Sequence, residues 1–263
     1  MDKMQLAESA SETDGHWPIN ETSRIALREG QPLRVDEERG NLFAFAIATG
    51  NEPVEIVVHP NHRNKGLGSA LMRDLIARGE TSFWAHGALP AARKLAEDFE
   101  LIPTRTILLM SRNSATRLPH PNQSIRTFRP GDEEQIVSVN ARAFASHPEQ
   151  GEMTVQSMRL LMTEPWFDPN GLFIAEREGQ IVGFHWTKKF DGVGEVYVIG
   201  VSPDLQGSGI GRDLLVAGLN HMSDCERIDL FVEESNSAAI SIYEQYGFTE
   251  RSRDINYDRP VNY

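Results

Sequence analysis

Residues 195–211 read Glu-Val-Tyr-Val-Ile-Gly-Val-Ser-Pro-Asp-Leu-Gln-Gly-Ser-Gly-Ile-Gly. The β-branched and aromatic run predicts a strand, and the proline and glycines predict a turn into a helix. Glycines at such a junction let successive backbone N–H groups face an anion beside the positive end of the helix. The loop lacks the Gly-Lys-Ser/Thr ending of a nucleotide P-loop and the wider spacing of a dinucleotide fingerprint. The pattern therefore favours the pyrophosphate of coenzyme A.

The same pattern occurs earlier in the chain. Residues 54–68 read Val-Glu-Ile-Val-Val-His-Pro-Asn-His-Arg-Asn-Lys-Gly-Leu-Gly, again followed by a helical pattern. Pro60 and Pro203 are 143 residues apart, about the length of one domain. We predict an N-terminal domain over residues 1–112, a polar linker over 113–124 and a C-terminal domain over 125–263.

Hydrophobic periodicity predicts a mixed α/β order in the second copy. The first copy has too little sequence before Pro32 for a full first strand and two helices, so we predict that it is truncated. The strands expected in the second copy are 125–128, 172–177, 181–188, 195–201, 228–232 and 251–257, and the helices are 132–144, 155–163, 209–222 and 238–246.

Composition restricts the classes of function. The chain has 263 residues and a net charge of −12, which argues against a nucleic-acid partner. No apolar run is long enough to span a bilayer, and the N-terminus lacks the pattern of a signal peptide, so we expect a cytoplasmic protein with no membrane partner. Cys225 is the single cysteine, and His59 and His62 have no third ligand in view, so we expect no metal ion.

A second pattern indicates a protein family. Residues 236–248 read Asn-x-x-Ala-x-x-x-Tyr-x-x-x-Gly-Phe, with Tyr243 as the tyrosine. Combined with the Gln-x-x-Gly-x-Gly loop, this resembles the Gcn5-related N-acetyltransferases (GNAT). The resemblance implies two tandem GNAT domains of the acyl-CoA N-acyltransferase fold, with acetyl-CoA as co-substrate in a splay between two parallel strands of a mixed sheet.

The resemblance also implies the residues that hold acetyl-CoA. Strand backbone groups would bind the pantetheine arm and thioester, and the loop would bind the pyrophosphate. In the second copy these residues are Ile199, Gly200, Val201, Gln206, Gly207, Ser208, Gly209, Ile210, Gly211 and Arg212, and in the first they are Ile56, Val57, Val58, Arg63, Gly66 and Gly68.

Four further segments, at residues 147–151, 164–169, 183–188 and 194–198, resemble a narrower GNAT branch. That branch acetylates the cysteinyl amine of a glucosaminyl-inositol conjugate, an amino-sugar thiol. The resemblance implies substrate contacts by Glu21, Glu149, Lys188, Glu195 and Tyr243. The loop between Lys188 and Glu195 is shorter than the branch usually shows.

The predicted chemistry needs a base and an acid. A cysteinyl α-amine titrates near pH 7.7–8.0, so a nearby carboxylate suffices as base, and Glu195 opens the strand that would present the thioester. The resemblance assigns Tyr243 as the acid that protonates the departing thiolate; taken alone, Tyr243 reads as a core aromatic. Aligning the two copies places Glu52 opposite Glu195 and Ala96 opposite Tyr243. The first copy is therefore expected to bind coenzyme A without completing the transfer.

Two alternatives stay open. One is a different amine acetyltransferase, acting on an aminoglycoside or a protein N-terminus. The other is a non-catalytic sensor of coenzyme A built from two such domains, which the presence of Glu195 and Tyr243 disfavours. The expected partners are acetyl-CoA and a small amino-sugar thiol, with the protein as a monomer.

Overall fold

The computed structural model describes residues 1–114, 117–119, 121, 124–145 and 150–260, which form two compact units. The sequence predicted two contiguous ranges, whereas the units interleave along the chain because the last strand packs with the first unit. Unit 1 comprises Met1–Leu108, Glu233–Asn236 and the residues from Arg251 on; unit 2 comprises Leu109–Val232 and Ser237–Glu250.

Unit 1 is a sheet covered by helices on both faces. Its strands lie in the order β1-β2-β3-β4-β11-β5. Apolar residues of α1 pack on one face and those of α3 and α4 pack on the other. Its elements are α1 (Lys3–Asp14), α2 (Glu21–Glu29), β1 (Val35–Arg39), β2 (Ala44–Ala48), β3 (Val54–Val58), α3 (Leu67–Ala77), β4 (Ser82–Ala85), α4 (Pro90–Asp98), β5 (Ile102–Asn113) and, after unit 2, β11 (Thr249–Asp258).

The first copy contains two helices before its first strand, so the prediction of a copy truncated in its helices was wrong. A capping box between Asp2 and Gln5 starts α1, and the Asn20 side chain caps α2. The buried residues of α1 are Leu6, Ala7 and Ala10, and so small an apolar set gives a weak periodic signal. Within residues 1–34, all of which the structure describes, no strand precedes β1.

The last strand of the chain completes the sheet of unit 1. Strand β11 pairs antiparallel with β4, from Ile255 opposite Ala85 to Asp258 opposite Ser82. The Asn256 side chain donates to Ser82 Oγ at 3.0 Å and to the Phe83 carbonyl at 3.2 Å. These hydrogen bonds fix the register of a strand that is distant in sequence.

Every element predicted for the second copy is confirmed to within two residues, and all but the last strand, β11, lie in unit 2. Its strands follow the order β10-β9-β8-β7-β6. In the part of the chain that the structure describes, no helix has the length and apolar character needed to cross a membrane. The elements are β6 (Ile125–Thr127), α5 (Glu133–Ala143), α6 (Val155–Leu161), β7 (Leu172–Arg177), β8 (Gln180–Phe190), β9 (Val193–Val201), α7 (Ile210–His221), β10 (Arg227–Glu233) and α8 (Ser237–Gln245).

A buried histidine locks α7 onto the sheet of unit 2. His185 of β8 is fully buried, and its Nδ1 lies 2.8 Å from the Leu214 carbonyl oxygen, to which it donates. Burial lowers the pKa of His185 to about 4, so the ring is neutral near pH 7. Gly218 faces the imidazole so closely that an added Cβ would overlap the ring. The absence of a side chain at Gly218 is what allows the helix to approach the strand.

We therefore expect Gly218→Ala to destabilise unit 2 by about 2 kcal/mol, because a methyl group forced into packed atoms costs about 1–3 kcal/mol. Chemical denaturation of the unliganded protein measures this loss. Gly211→Ala in the same helix is the matched control, since its Cβ would lie 3.5 Å from Val201 Cγ2, an ordinary contact. Equal stability of the two variants would contradict the close packing.

Candidate active site

Two parallel strands of unit 2 separate part of the way along their length. In β9 and β10, whose residues are all described, the pairs run from Val193 opposite Arg227 to Val196 opposite Leu230. Strand β9 continues to Val201 paired with β8. Backbone groups on its other edge must find partners beyond the sheet. The predicted residues Ile199, Gly200 and Val201 occupy this separated stretch, as a pantetheine arm requires.

Helix α7 begins at the end of that stretch. Gly209 at its N-cap is left-handed, with φ 88°, and among the described residues no side chain caps the helix. The first N–H groups of a helix lack intrahelical partners, and the dipole adds positive potential there. This helix start therefore offers N–H groups and positive potential to an anion, and the predicted loop residues that surround it are Gln206, Gly207, Ser208, Gly209, Ile210, Gly211 and Arg212.

Unit 1 repeats both features. Strand β3 pairs with β4 at Val54 and Glu55 and then runs on to Val58. Helix α3 begins at Gly66, which is left-handed at φ 80° and, within the described residues, carries no side-chain cap. A cavity of about 290 Å³ lies here. Its lining includes all the residues predicted to hold coenzyme A in the first copy, namely Ile56, Val57, Val58, Arg63, Gly66 and Gly68.

Arg63, one of the two cations of this first loop, is already engaged by a carboxylate. The Arg63 guanidinium makes two hydrogen bonds to the Asp14 carboxylate, at 2.7 and 2.6 Å. This pairing raises the pKa of Arg63 against the opposing effect of burial. Arg63 therefore shapes the wall of the cavity through Asp14, a role the sequence did not indicate.

Lys188 and Glu195 lie together in unit 2. They face each other across β8 and β9, so their side chains share one face of the sheet. Tyr197 is an extra residue in β9, because Trp186 pairs with Val198 while Thr187 pairs with Val196. This β-bulge turns Glu195 to the face of Val198 rather than that of Ile199. Such a bulge leaves no mark in a continuous strand sequence.

Tyr243 lies on α8, which follows β10. Because β9 and β10 are parallel, α7 and α8 both begin at the same edge of the sheet. The Tyr243 ring packs edge-on against buried Phe248 at 5.9 Å, and Gly247 ends the helix at φ 83°. Burial raises the pKa of Tyr243 to about 12, which keeps the phenol protonated near neutral pH.

The helices after each splay support the alignment of the two copies. Helices α4 and α8 each have nine residues, and Ala96 and Tyr243 are both seventh. Ala96 is buried and lines the cavity of unit 1. Unit 1 therefore has no hydroxyl at this position.

The other predicted substrate contacts have different outcomes. Glu21 is the first residue of α2, in unit 1. Glu149 lies outside the described residues. Among the residues that are described, no group of three or more His, Cys, Asp or Glu side chains is arranged to hold a metal ion.

Sequence reasoning missed a buried charge network in unit 1. His86 Nε2 lies 2.6 Å from Glu55 Oε1, and His86 Nδ1 lies 2.8 Å from Asp254 Oδ2. Glu55 also accepts hydrogen bonds from the Ser23 hydroxyl and the Asn20 amide. Burial alone would lower the pKa of His86, but the hydrogen bonds and charges of Asp254 and Glu55 raise it to about 10. No local motif predicts the network, because β11 supplies Asp254.

Splayed parallel strands beside an uncapped, glycine-led helix are the arrangement predicted from the sequence for an acyltransferase that uses acetyl-CoA. The sequence pattern of the Acetyltransferase (GNAT) family matches residues 5–99 and 140–248. The mycothiol acetyltransferase of Thermobispora bispora is 43% identical, over 97% of this chain and 94% of its own. That of Thermomonospora curvata is 42% identical, over 98% and 92%. The chain belongs to the GNAT family, within its mycothiol acetyltransferase group.

Solved structures agree on the fold. A GCN5-related N-acetyltransferase from Sphaerobacter thermophilus superposes with a TM-score of 0.71 at 24% identity, over 97% of this chain and 90% of its own. A tandem GNAT protein from the clavulanic acid biosynthesis pathway gives 0.58 at 15% identity, over 83% and 79%. At these identities the likeness shows the shared fold.

The His86 network generates a test of stability. His86→Leu leaves two buried carboxylates without their cation, which typically costs about 3–5 kcal/mol. The pKa of His86 is raised from 6.5 in the unfolded chain to about 10, so its contribution is complete below pH 6.5 and is lost as pH rises through 10. The difference in unfolding free energy between parent and variant should therefore shrink from pH 6.5 to 10.

Chemical denaturation at stepped pH values measures this difference. His59→Leu is the control, because the His59 ring accepts one hydrogen bond from the backbone of Asn61 and joins no buried pair. It should cost far less than His86→Leu. A difference between parent and His86→Leu that stays constant up to pH 10 would refute the charged network.

Proposed function

We propose that this chain acetylates the cysteinyl amine of a cysteinyl-glucosaminyl-inositol, with acetyl-CoA as acetyl donor, to form mycothiol and coenzyme A. The observation that carries the proposal is the pairing of Lys188 with Glu195 on one face of the sheet, beside the splay of β9. In this pair, Lys188 would bind oxygen atoms of the acceptor and Glu195 would contact its amine. The names of the two relatives above support the same acceptor.

Each residue has a distinct part in the proposed reaction. Glu195 accepts a proton from the amine as its nitrogen attacks the thioester carbon. Tyr243 donates to the sulfur as the C–S bond breaks. The thiolate takes up one proton, through Tyr243 or from water, and Glu195 releases the one it accepted, so a neutral amine and acetyl-CoA yield an amide and a thiol and both side chains return to their starting states. Because a thiol, at about 8.5, is more acidic than a phenol of pKa about 12, hydrogen bonding to the departing sulfur is the main contribution of Tyr243.

The proposal assigns the remaining contacts by family resemblance. Glu149 and Glu21 would bind the sugar-thiol acceptor, alongside Lys188. The separated backbone at Ile199–Val201 would hold the pantetheine arm and thioester, and the loop leading into α7 would hold the pyrophosphate.

Unit 1 is proposed to bind coenzyme A without transferring an acetyl group. The cavity at its splay and the uncapped N-terminus of α3 support binding. Ala96 at the position of Tyr243 argues against transfer. Glu55, the carboxylate on β3, is buried and accepts hydrogen bonds from Ser23 and Asn20. It is therefore not available as a base.

Two equivalent glycines give a matched test of the two cofactor sites. Gly66 and Gly209 have nearly the same backbone conformation, with φ 80° and 88°. An Asp at either position adds a negative charge where a phosphate would bind, and should weaken acetyl-CoA binding at that site at least about tenfold. Calorimetric titration should show two sites in the parent protein and one in each variant, with turnover lost only in Gly209→Asp.

Asn is the control at both positions, because it tolerates the left-handed region as Asp does but carries no charge. Gly66→Asn and Gly209→Asn should retain most of the binding. If the parent protein shows one binding site and Gly66→Asp leaves that site unchanged, unit 1 does not bind coenzyme A.

The acceptor is tested directly by incubating the protein with acetyl-CoA and the cysteinyl-glucosaminyl-inositol, and measuring release of the coenzyme A thiol. We expect saturable release, and about 10²–10⁴-fold slower turnover for Glu195→Gln, as is typical when a general base is removed. Tyr243→Phe should slow turnover strongly while leaving acetyl-CoA binding intact.

Aminoglycosides and a peptide with a free N-terminus are the comparison acceptors. Release with one of these but not with the sugar thiol would overturn the proposed acceptor. Binding of acetyl-CoA without release on any amine would instead indicate a sensor. Unchanged turnover in Tyr243→Phe would remove that residue from the mechanism.

A further inference from the structure

Two aromatic rings lie close to the ammonium group of Lys188, which pairs with Glu195 across the strands. Lys188 Nζ lies 4.9 Å from the centre of the Trp166 ring and 5.3 Å from that of Tyr197. Both distances are within the range of about 6 Å at which a ring face attracts an ammonium group. The two rings are themselves in contact, with centroids 5.0 Å apart, and Trp186 lies 5.8 Å from each.

The bulge of β9 creates this arrangement. Strict alternation would send Glu195, Tyr197 and Ile199 to the same face. As the unmatched residue, Tyr197 reaches Trp166 and Trp186 on one face, while Ile199 packs with the cluster of Ile210 and Leu214 on the other. The bulge therefore brings a ring to Lys188 that a regular strand would not deliver.

The chemistry of an aromatic partner differs from that of a carboxylate. A ring face attracts the positive charge through its quadrupole and does not take up N–H groups as conventional acceptors. The rings thereby orient the ammonium without competing with oxygen atoms for its N–H groups. Two rings also restrict the lysine stem, so less of its conformational freedom remains to be lost when a ligand binds.

We propose that Trp166 and Tyr197 are positioning residues, which hold the Lys188 ammonium over their rings and so set the affinity of the site for the acceptor. The inference rests on the proposed function, in which Lys188 contacts the sugar-thiol acceptor. The rings act through Lys188, so their loss affects the KM for the acceptor rather than the chemical step.

Tyr197 gives the cleaner test, because it is half-buried whereas Trp166 is buried in the core. Tyr197→Leu should raise the KM for the acceptor about tenfold, as the loss of a partly desolvated cation–π contact implies, with kcat and the KM for acetyl-CoA within about twofold of the parent. Tyr197→Phe keeps the ring face and should restore the parent KM.

Phe167→Leu is the control within the same aromatic group. Its ring packs edge-on against Trp186 at 5.7 Å and is in no cation–π contact with Lys188 among the described residues. Its KM for the acceptor should match that of the parent. An increase equal to that of Tyr197→Leu would show that general packing, rather than the cation, sets the affinity, and would overturn the inference.

A double-mutant cycle then tests the coupling. Lys188→Met removes the charge and keeps the length of the stem, and should itself raise the acceptor KM. Adding Tyr197→Leu should change KM by less than about twofold, because the cation on which the ring acts is gone. Independent, multiplicative effects would overturn the inference.

The failures can be told apart. If Lys188→Met leaves the acceptor KM unchanged, the positioning inference fails while transfer to the sugar thiol stands. If the parent protein does not acetylate the sugar thiol, the proposed function itself fails.

Discussion

The early end of pairing between β9 and β10 is the constraint on which the rest of unit 2 depends. Backbone groups of a strand must be satisfied, so the part of β9 beyond its last pair with β10 requires a partner outside the sheet along Ile199–Val201. A bulge increases local twist, and the one at Tyr197 lies directly where the two strands part. The bulge turns Glu195 to the face of Lys188 at the point where the strands part, and α7 begins at the end of the separated stretch.

Unit 1 separates its strands without that irregularity. The pairs between β2 and β3, strands described throughout, keep a single register from Ala44 opposite Val58 to Ile47 opposite Glu55. The carboxylate on β3 is Glu55, which is buried and accepts a hydrogen bond from the Ser23 hydroxyl. The separated strands therefore have different surroundings in the two units. In unit 2 they lie beside a lysine–glutamate pair, and in unit 1 beside a closed charge network and Ala96. The proposed binding role of unit 1 agrees with this difference, because α3 also begins at an uncapped glycine while Ala96 has no hydroxyl.

Features set by local sequence could be predicted. The glycine loops, all the elements of the second copy and the alanine opposite Tyr243 follow from spacing, periodicity and the alignment of the two copies. The bulge at Tyr197 could not, because a bulged residue reads as one more strand residue. Helices α1 and α2 were missed because their buried positions are few and small. Asp254 could not be linked to His86, since their 168-residue separation is closed only by the pairing of β11 with β4.

That long-range pairing changes the meaning of the internal repeat. The repeat sets a boundary near residue 113, and duplicated domains would ordinarily fold as separate stretches of chain. Here Asp254 on the last strand balances the charge of His86 and accepts a hydrogen bond from the Gly87 amide, while Tyr257 enters both the core and the cavity lining of unit 1. Residues 1–112 alone would lack the strand between β4 and β5 and would leave His86 with Glu55 as its one carboxylate partner. The repeat therefore records the ancestry of the two copies, whereas the folding unit of the first copy includes the end of the second.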